Sequence, residues 1–153
     1  MTDNNHRPGI MFRCFNPPEQ LIDYVQQAEA LGFSEVWIVE DCMFAGGISS
    51  VVAALASTKH IRVGLGIMPG VVRNAAFAAM EIATVERLFP GRFLPGFGHG
   101  LASWMREIGA MPPSQLTALR EVTQTVKALL RGEHVDFDGD YVQMNEKQLE
   151  YPP

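Results

Sequence analysis

The sequence predicts an α/β fold built on a parallel sheet, and three observations carry that expectation. Short runs of β-forming residues alternate four times with longer runs of helical period. Each helical run is bracketed by residues that start or stop helices. After the fourth pair only a small β-hairpin remains, over Val135 to Val142. Strand–helix alternation implies parallel strands joined by right-handed crossovers. An open doubly wound sheet and a (β/α)8 barrel both satisfy this order. A barrel takes about 250 residues, so 153 residues and four units amount to half of one.

Taken in order, Gly9 to Arg13 reads as a buried strand after a frayed tail over Met1 to Pro8. Asn16-Pro17-Pro18-Glu19 reads as a helix start with Asn16 as N-cap and proline in the first turn. Leu21, Val25, Ala28 and Leu31 recur on one helical face, and Gly32 stands where a left-handed cap belongs. Glu35 to Val39 is the second strand, rich in β-formers. Glu40 to Gly47 is a loop, and Ile48 to Thr58 an almost uncharged helix that needs a buried setting.

The third strand opens at Ile61 and changes character at Gly64 and Gly66 before a Pro69-Gly70 turn. Asn74 to Phe89 repeats apolar residues at Ala78, Ile82, Val85 and Phe89, with Pro90-Gly91 as the stop. Arg92 to Gly98 is a looser fourth strand, in which Pro95 belongs at an unpaired position. A short helix to Ile108 follows. A longer helix then carries Leu119, Val122, Val126 and Leu129 on one face and closes at Gly132. The hairpin turns at Asp138-Gly139, and Tyr151-Pro152-Pro153 reads as an extended linker.

The chain is long enough for one domain, residues 1–153, with a real core. Its net charge of −5, with lysines and arginines scattered singly, argues against a nucleic-acid binder. The N-terminal residues have no apolar signal core, and no stretch approaches the length of a membrane span. Cys14 and Cys42 make neither a disulfide framework nor a metal spacing. These features lead to the expectation of a reduced, cytoplasmic protein with no resident metal.

Two glycine motifs invite a dinucleotide reading. Gly64-x-Gly66 lacks its third glycine because Pro69 occupies that place, and no suitable acidic residue follows about 20 residues on. The dinucleotide fingerprint is therefore rejected. Glycines at the carboxyl end of a buried strand still leave bare backbone on which a flat ligand can lie.

Leu31-Gly-Phe-Ser-Glu-Val-Trp-Ile-Val-Glu-Asp41, Gly64-Leu-Gly-Ile-Met-Pro69 with Arg73, Ala79-Met-Glu81, Pro90-Gly-Arg-Phe93 and Gly96-Phe-Gly-His-Gly100 together resemble the luciferase-like monooxygenase superfamily. Within it they are most similar to the deazaflavin (coenzyme F420)-dependent oxidoreductases. The resemblance runs from Gly9 to Pro153 and covers the first half of that family's TIM barrel. It implies hydride transfer between deazaflavin and a small organic substrate; FMN is the alternative cofactor, in a luciferase-like monooxygenase. A third reading, from another class, is a truncated, non-catalytic half-barrel or binding module that needs a partner half.

The resemblance also implies where the cofactor lies, at the carboxyl ends of the strands. It marks Glu40, Asp41, Gly66, Ile67, Gly98, His99 and Gly100 as cofactor-binding residues, and His99 and Asp41 as catalytic. It places a non-prolyl cis peptide at Gly66-Ile67, bulging against the ring. Some members carry an acid two places after the histidine; here that position is Leu101. The alternatives for the same residues are structural: glycine packing for Gly66, capping for Glu40 and Asp41, and a salt bridge for Arg73. Trp104 and Met68 suit a substrate pocket or the core equally. Half a barrel leaves strand edges bare, so a homodimer or another association through those edges is expected.

Overall fold

Residues 8–153 are described by the computed structural model, and the tail expected over Met1 to Pro8 lies, apart from Pro8, outside them. Four strands form one sheet in the order β1-β2-β3-β4: β1 (Gly9–Phe12), β2 (Glu35–Ile38), β3 (Arg62–Pro69) and β4 (Phe93–Gly98). β1 and β2 pair in parallel from Gly9↔Glu35 to Phe12↔Ile38, and β2 and β3 from Glu35↔Arg62 to Ile38↔Leu65. The Val63 amide donates to Arg92 O (2.8 Å) and the Gly70 amide to Gly98 O (3.0 Å), so β4 rises beside β3 in the same direction. Helices α1 (Leu21–Ala30), α2 (Gly47–Ala56), α3 (Ala75–Leu88), α4 (Ala102–Glu107) and α5 (Gln115–Leu130) fall between and after these strands. Strands β5 (Val135–Asp138) and β6 (Gln143–Lys147) make a separate antiparallel pair. The expected element order stands throughout.

The chain gathers into two compact units. One holds the residues up to Gly66 together with Gly91–Leu94; the other holds Ile67–Pro90 and Pro95–Pro153. In the first, alternation along the strands sorts the side chains. Val36, Ile38, Val63 and Leu65 are buried on one face with Leu21, Val25 and Ala28 of α1 and Val51, Ala54 and Leu55 of α2. Met11, Trp37 and Gly64, which share one register row, occupy the other face. Gly32 ends α1 with φ +83° as expected.

Two charged side chains brace this unit. Glu29 accepts the amides of Lys59, His60 and Ile61, at 2.6 to 3.1 Å. Arg92 donates to the carbonyls of Leu55, Thr58 and Ile61 and to the Thr58 hydroxyl. Those acceptors lie in the last turn of α2 and in the segment leading into β3, where carbonyls lack helix partners.

In the second unit Asn74 caps α3 by accepting the Ala76 amide at 2.9 Å, and Ser114 caps α5 by accepting that of Thr117. Ala78, Ile82 and Val85 of α3 and Val122, Val126 and Leu129 of α5 are buried. Glu121 of α5 is buried as well and receives the amides of Asp140, Tyr141 and Val142.

Four expectations need correction. Asn16 is not an N-cap: its amide closes a turn on Arg13 O, and the helical path begins with a single 3-10 turn, Pro18–Gln20, capped by Pro17. Leu31 is not on the buried face; it lies past the end of α1 and is 76% exposed. Phe89 caps α3 at φ −135° and is only half-buried. The hairpin's second strand is Gln143–Lys147, because the Glu121 carboxylate draws residues 140–142 into a loop that Val142 would otherwise have opened as strand.

Candidate functional site

The residues marked by the sequence lie within or just after the carboxyl-terminal parts of β2, β3 and β4, and each unit carries its own share. Glu40, Asp41 and Gly66 belong to the first; Ile67, Gly98, His99 and Gly100 belong to the second.

In the first unit Glu40 sits at the start of α2. Its Oε1 accepts the Gly47 amide at 3.3 Å, a carboxylate at the positive end of a helix. Gly47 has no room for a side chain, since an added Cβ would stand 2.7 Å from Leu65 Cδ1 and 3.0 Å from Glu40 Cδ. Capping therefore accounts for Glu40 as it stands. Asp41 accepts a hydrogen bond from the Cys14 thiol, and that bond, aided by burial and by the negative charge, raises the thiol pKa above its ordinary value. The Asp41 carbonyl also accepts the Phe44 amide at 3.1 Å, which turns the loop and leaves Met43 at φ 69°.

Gly64 and Gly66 share a face with Trp37. A Cβ on Gly64 would lie 2.4 Å from Trp37 Cε3, and one on Gly66 3.0 Å from the same atom. The indole nitrogen donates to Glu35 Oε2 at 2.9 Å, and the Glu35 Oε1 pairs with Arg62, so the ring is held through its nitrogen by a braced carboxylate. The two glycines make room for Trp37, which gives Gly66 a packing role in the structure. Sequence reasoning quoted Trp37 only as part of a motif. The signal that finds it is the register, which sets Trp37 opposite Gly64.

In the second unit Ile67 lies across β4: its Cδ1 would be 2.5 Å from a Cβ at Gly98. His99 follows, half-buried. Gly100 comes next at φ +72°, a left-handed conformation that glycine adopts without strain. A side chain there would also press on Pro69 and Met105 at 3.2 Å. Ile67, Gly98, His99 and Gly100 are thus brought together. Leu101 is 54% exposed and Met68 fully buried, while Trp104 is half-buried. Arg73 forms an ion pair with Glu81 (Nε to Oε2, 3.3 Å), the structural role weighed for it. A cavity of about 400 Å³ in this unit is walled by residues 70–75 and 109–113 with Ala118, Val122, Tyr141 and Val142, and Ile67, Gly98, His99 and Gly100 do not line it.

No group of three His, Cys, Asp or Glu side chains among the described residues is placed to hold a metal. No helix among them is long and apolar enough to cross a membrane.

A family model described as luciferase-like monooxygenase matches residues 2–153. The chain belongs to that family. Among its relatives, the 5,10-methylenetetrahydromethanopterin reductase of Methanolobus tindarius is 27% identical over 143 residues, which are 94% of this chain and 44% of the relative. The F420-dependent glucose-6-phosphate dehydrogenase of Kineococcus radiotolerans is 30% identical over 84% of this chain and 42% of its own length. The chain therefore spans less than half the length of the curated relatives it matches.

Two solved structures of luciferase-like TIM barrels superpose well. The coenzyme F420-dependent tetrahydromethanopterin reductase of Methanopyrus kandleri gives a TM-score of 0.82 at 24% identity, over 94% of this chain and 45% of that one. The FMN complex of the oxygenating constituent of 3,6-diketocamphane monooxygenase from Pseudomonas putida gives 0.84 at 18% identity, over 93% and 44%. At such identities the likeness is one of fold. Four parallel strands with their helices, covering 45% of a barrel, make a half-barrel, as the alternation and the resemblance led one to expect.

Proposed function

We infer that this chain is the ring-holding half of an F420-dependent oxidoreductase acting on a small organic substrate. One observation carries the reading: relatives matched over most of this chain, from two different enzyme types, include ones named as F420-dependent. F420 when bound supplies hydride transfer, so the chain's own residues have only to bind, orient and shield.

The residues fit a flat ring best along β4. Gly98 and Gly100 present backbone without side chains, Ile67 stands against Gly98 as the apolar bulge, and His99 lies between the two glycines. In this reading His99 holds or moves a proton at the bound ring. Asp41 accepts the hydrogen bond of the Cys14 thiol and keeps further carboxylate lone pairs with which to serve a bound molecule. Glu40 orients the loop by capping α2. Gly66 acts through Trp37, whose ring fixes the β2–β3 row.

FMN is the second reading, favoured by the FMN-bound neighbour of TM-score 0.84. Gly98→Ala tests the F420 assignment, because the new methyl displaces Ile67. The fluorescence of F420 titrated with wild type and variant should show at least a tenfold weaker Kd for the variant. Equal affinities would remove Ile67 and Gly98 from the site.

A further inference from the structure

We propose that the cavity walled by residues 70–75 and 109–113 binds a second small molecule, uncharged and apolar with one hydrogen-bond acceptor, of the ketone class. The whole cavity lies within the second unit. Its volume of about 400 Å³ falls inside the range of small-molecule sites. None of the residues that gather around Gly98 lines it, so it is separate from the ring-holding segment.

Its walls are held in place before any ligand arrives. On one side the Val72 amide donates to Pro69 O at 3.3 Å, and the Asn74 side chain caps α3. On another the Ala110 amide donates to Met105 O at 2.7 Å and Gly109 turns at φ +71°. Pro112 and Pro113 stiffen the same loop, since their rings fix φ. The third wall is Tyr141 and Val142, whose amides the buried Glu121 carboxylate accepts at 2.9 and 3.1 Å. A ligand entering walls already ordered loses little affinity to ordering them.

The chemistry of the lining selects the ligand. Val71, Val72, Met111, Pro112 and Val122 offer apolar surface, and the prolines bring no backbone N–H. Arg73, the cationic side chain of the lining, is neutralised by Glu81 at 3.3 Å, so the cavity makes no demand for an anion. Tyr141 supplies the polar contact. Its hydroxyl oxygen accepts the Ser114 amide at 2.8 Å, beside Pro113 of the lining. That bond uses the oxygen as acceptor, and no acceptor among the described residues takes the hydroxyl proton. A ketone oxygen completes it. A charged ligand would instead exchange water for apolar walls at a large cost.

The site owes nothing to the cofactor, so it is tested without F420 or FMN. Acetophenone is the probe, and ethylbenzene, close to it in shape but lacking the oxygen, is the control. Each is titrated into the purified chain while the amide NMR spectrum is followed. Acetophenone should shift the Val71, Val72 and Val142 amides saturably. It should bind about fivefold tighter than ethylbenzene, the difference made by one neutral hydrogen bond. Tyr141→Phe should abolish that preference, with circular dichroism checking that the variant is folded. Val72→Trp should fill the cavity and abolish saturable binding; Val72 is 40% exposed, so the larger ring leaves the fold intact. No saturable shift, shifts centred on Gly98, His99 and Gly100, or equal affinities for the two probes would each overturn the proposal. So would a folded Tyr141→Phe that keeps the preference, or a Val72→Trp that binds as wild type does.

Discussion

Trp37 lays its indole so closely over Gly64 that a methyl group at residue 64 would stand 2.4 Å from Cε3. The ring cannot retreat freely, because Glu35 holds its nitrogen and Arg62 holds Glu35. Gly64→Ala should therefore destabilise the fold by about 1–3 kcal/mol, the usual range for overpacking. Gly66→Ala, at 3.0 Å, should cost less. Urea unfolding measures both, and an unaffected Gly64→Ala would show that the indole swings away.

Arg92 gathers three carbonyls and a hydroxyl with one planar guanidinium. Arg92→Lys keeps the charge but loses the fork. Both Arg92→Lys and Arg92→Ala should lower stability, the alanine variant by about 2 kcal/mol, in the range for bonds made by a charged donor. A lysine variant as stable as wild type would mean that charge alone matters here.

Glu29 and Glu121 share a pattern that acid should expose. Burial pushes each carboxyl pKa up, but three backbone amides outweigh it and leave both below the ordinary value of 4.5. The unfolded chain thus takes up protons first as the pH falls. The stability these groups contribute is complete above the unfolded value and is lost as the pH drops through the lower folded values. The urea midpoint should fall steadily below about pH 4.5. Glu121→Gln should be less stable at neutral pH and show a shallower acid slope. An unchanged slope would remove Glu121 from the linkage.

Cys14 should be a slow thiol, since its hydrogen bond to Asp41 favours the protonated form and the thiolate is the reactive species. In a Cys42→Ser background, alkylation of Cys14 should accelerate when Asp41 is replaced by asparagine. A rate that does not rise would deny the contact between them.

The parts of this fold that repeat along the chain were legible in the sequence. Val25, Ala28, Ile82 and Val126 follow the helical period, and Gly32 and Gly132 end their helices at φ +83° and +74° as glycine in those places suggests. What was missed depends on contacts through space. Glu121 reads as an ordinary helix-surface acid until residues 140–142 fold over it, and this contact moved the second hairpin strand to Gln143. Asn16 carries a capping signal, but two prolines after it set a 3-10 turn instead. Of the candidate site, the order of Gly98, His99 and Gly100 was visible. The partner of Gly66, Trp37, comes from the neighbouring strand, where register reveals it, while the partner of Asp41, Cys14, sits in the turn after β1, beyond any strand pairing.

The most direct measurement is equilibrium binding of F420 and of FMN, each titrated separately into the purified wild-type chain. The account predicts saturable F420 binding that is tighter than FMN binding. FMN binding tighter than F420, or no saturable binding of either, would contradict it.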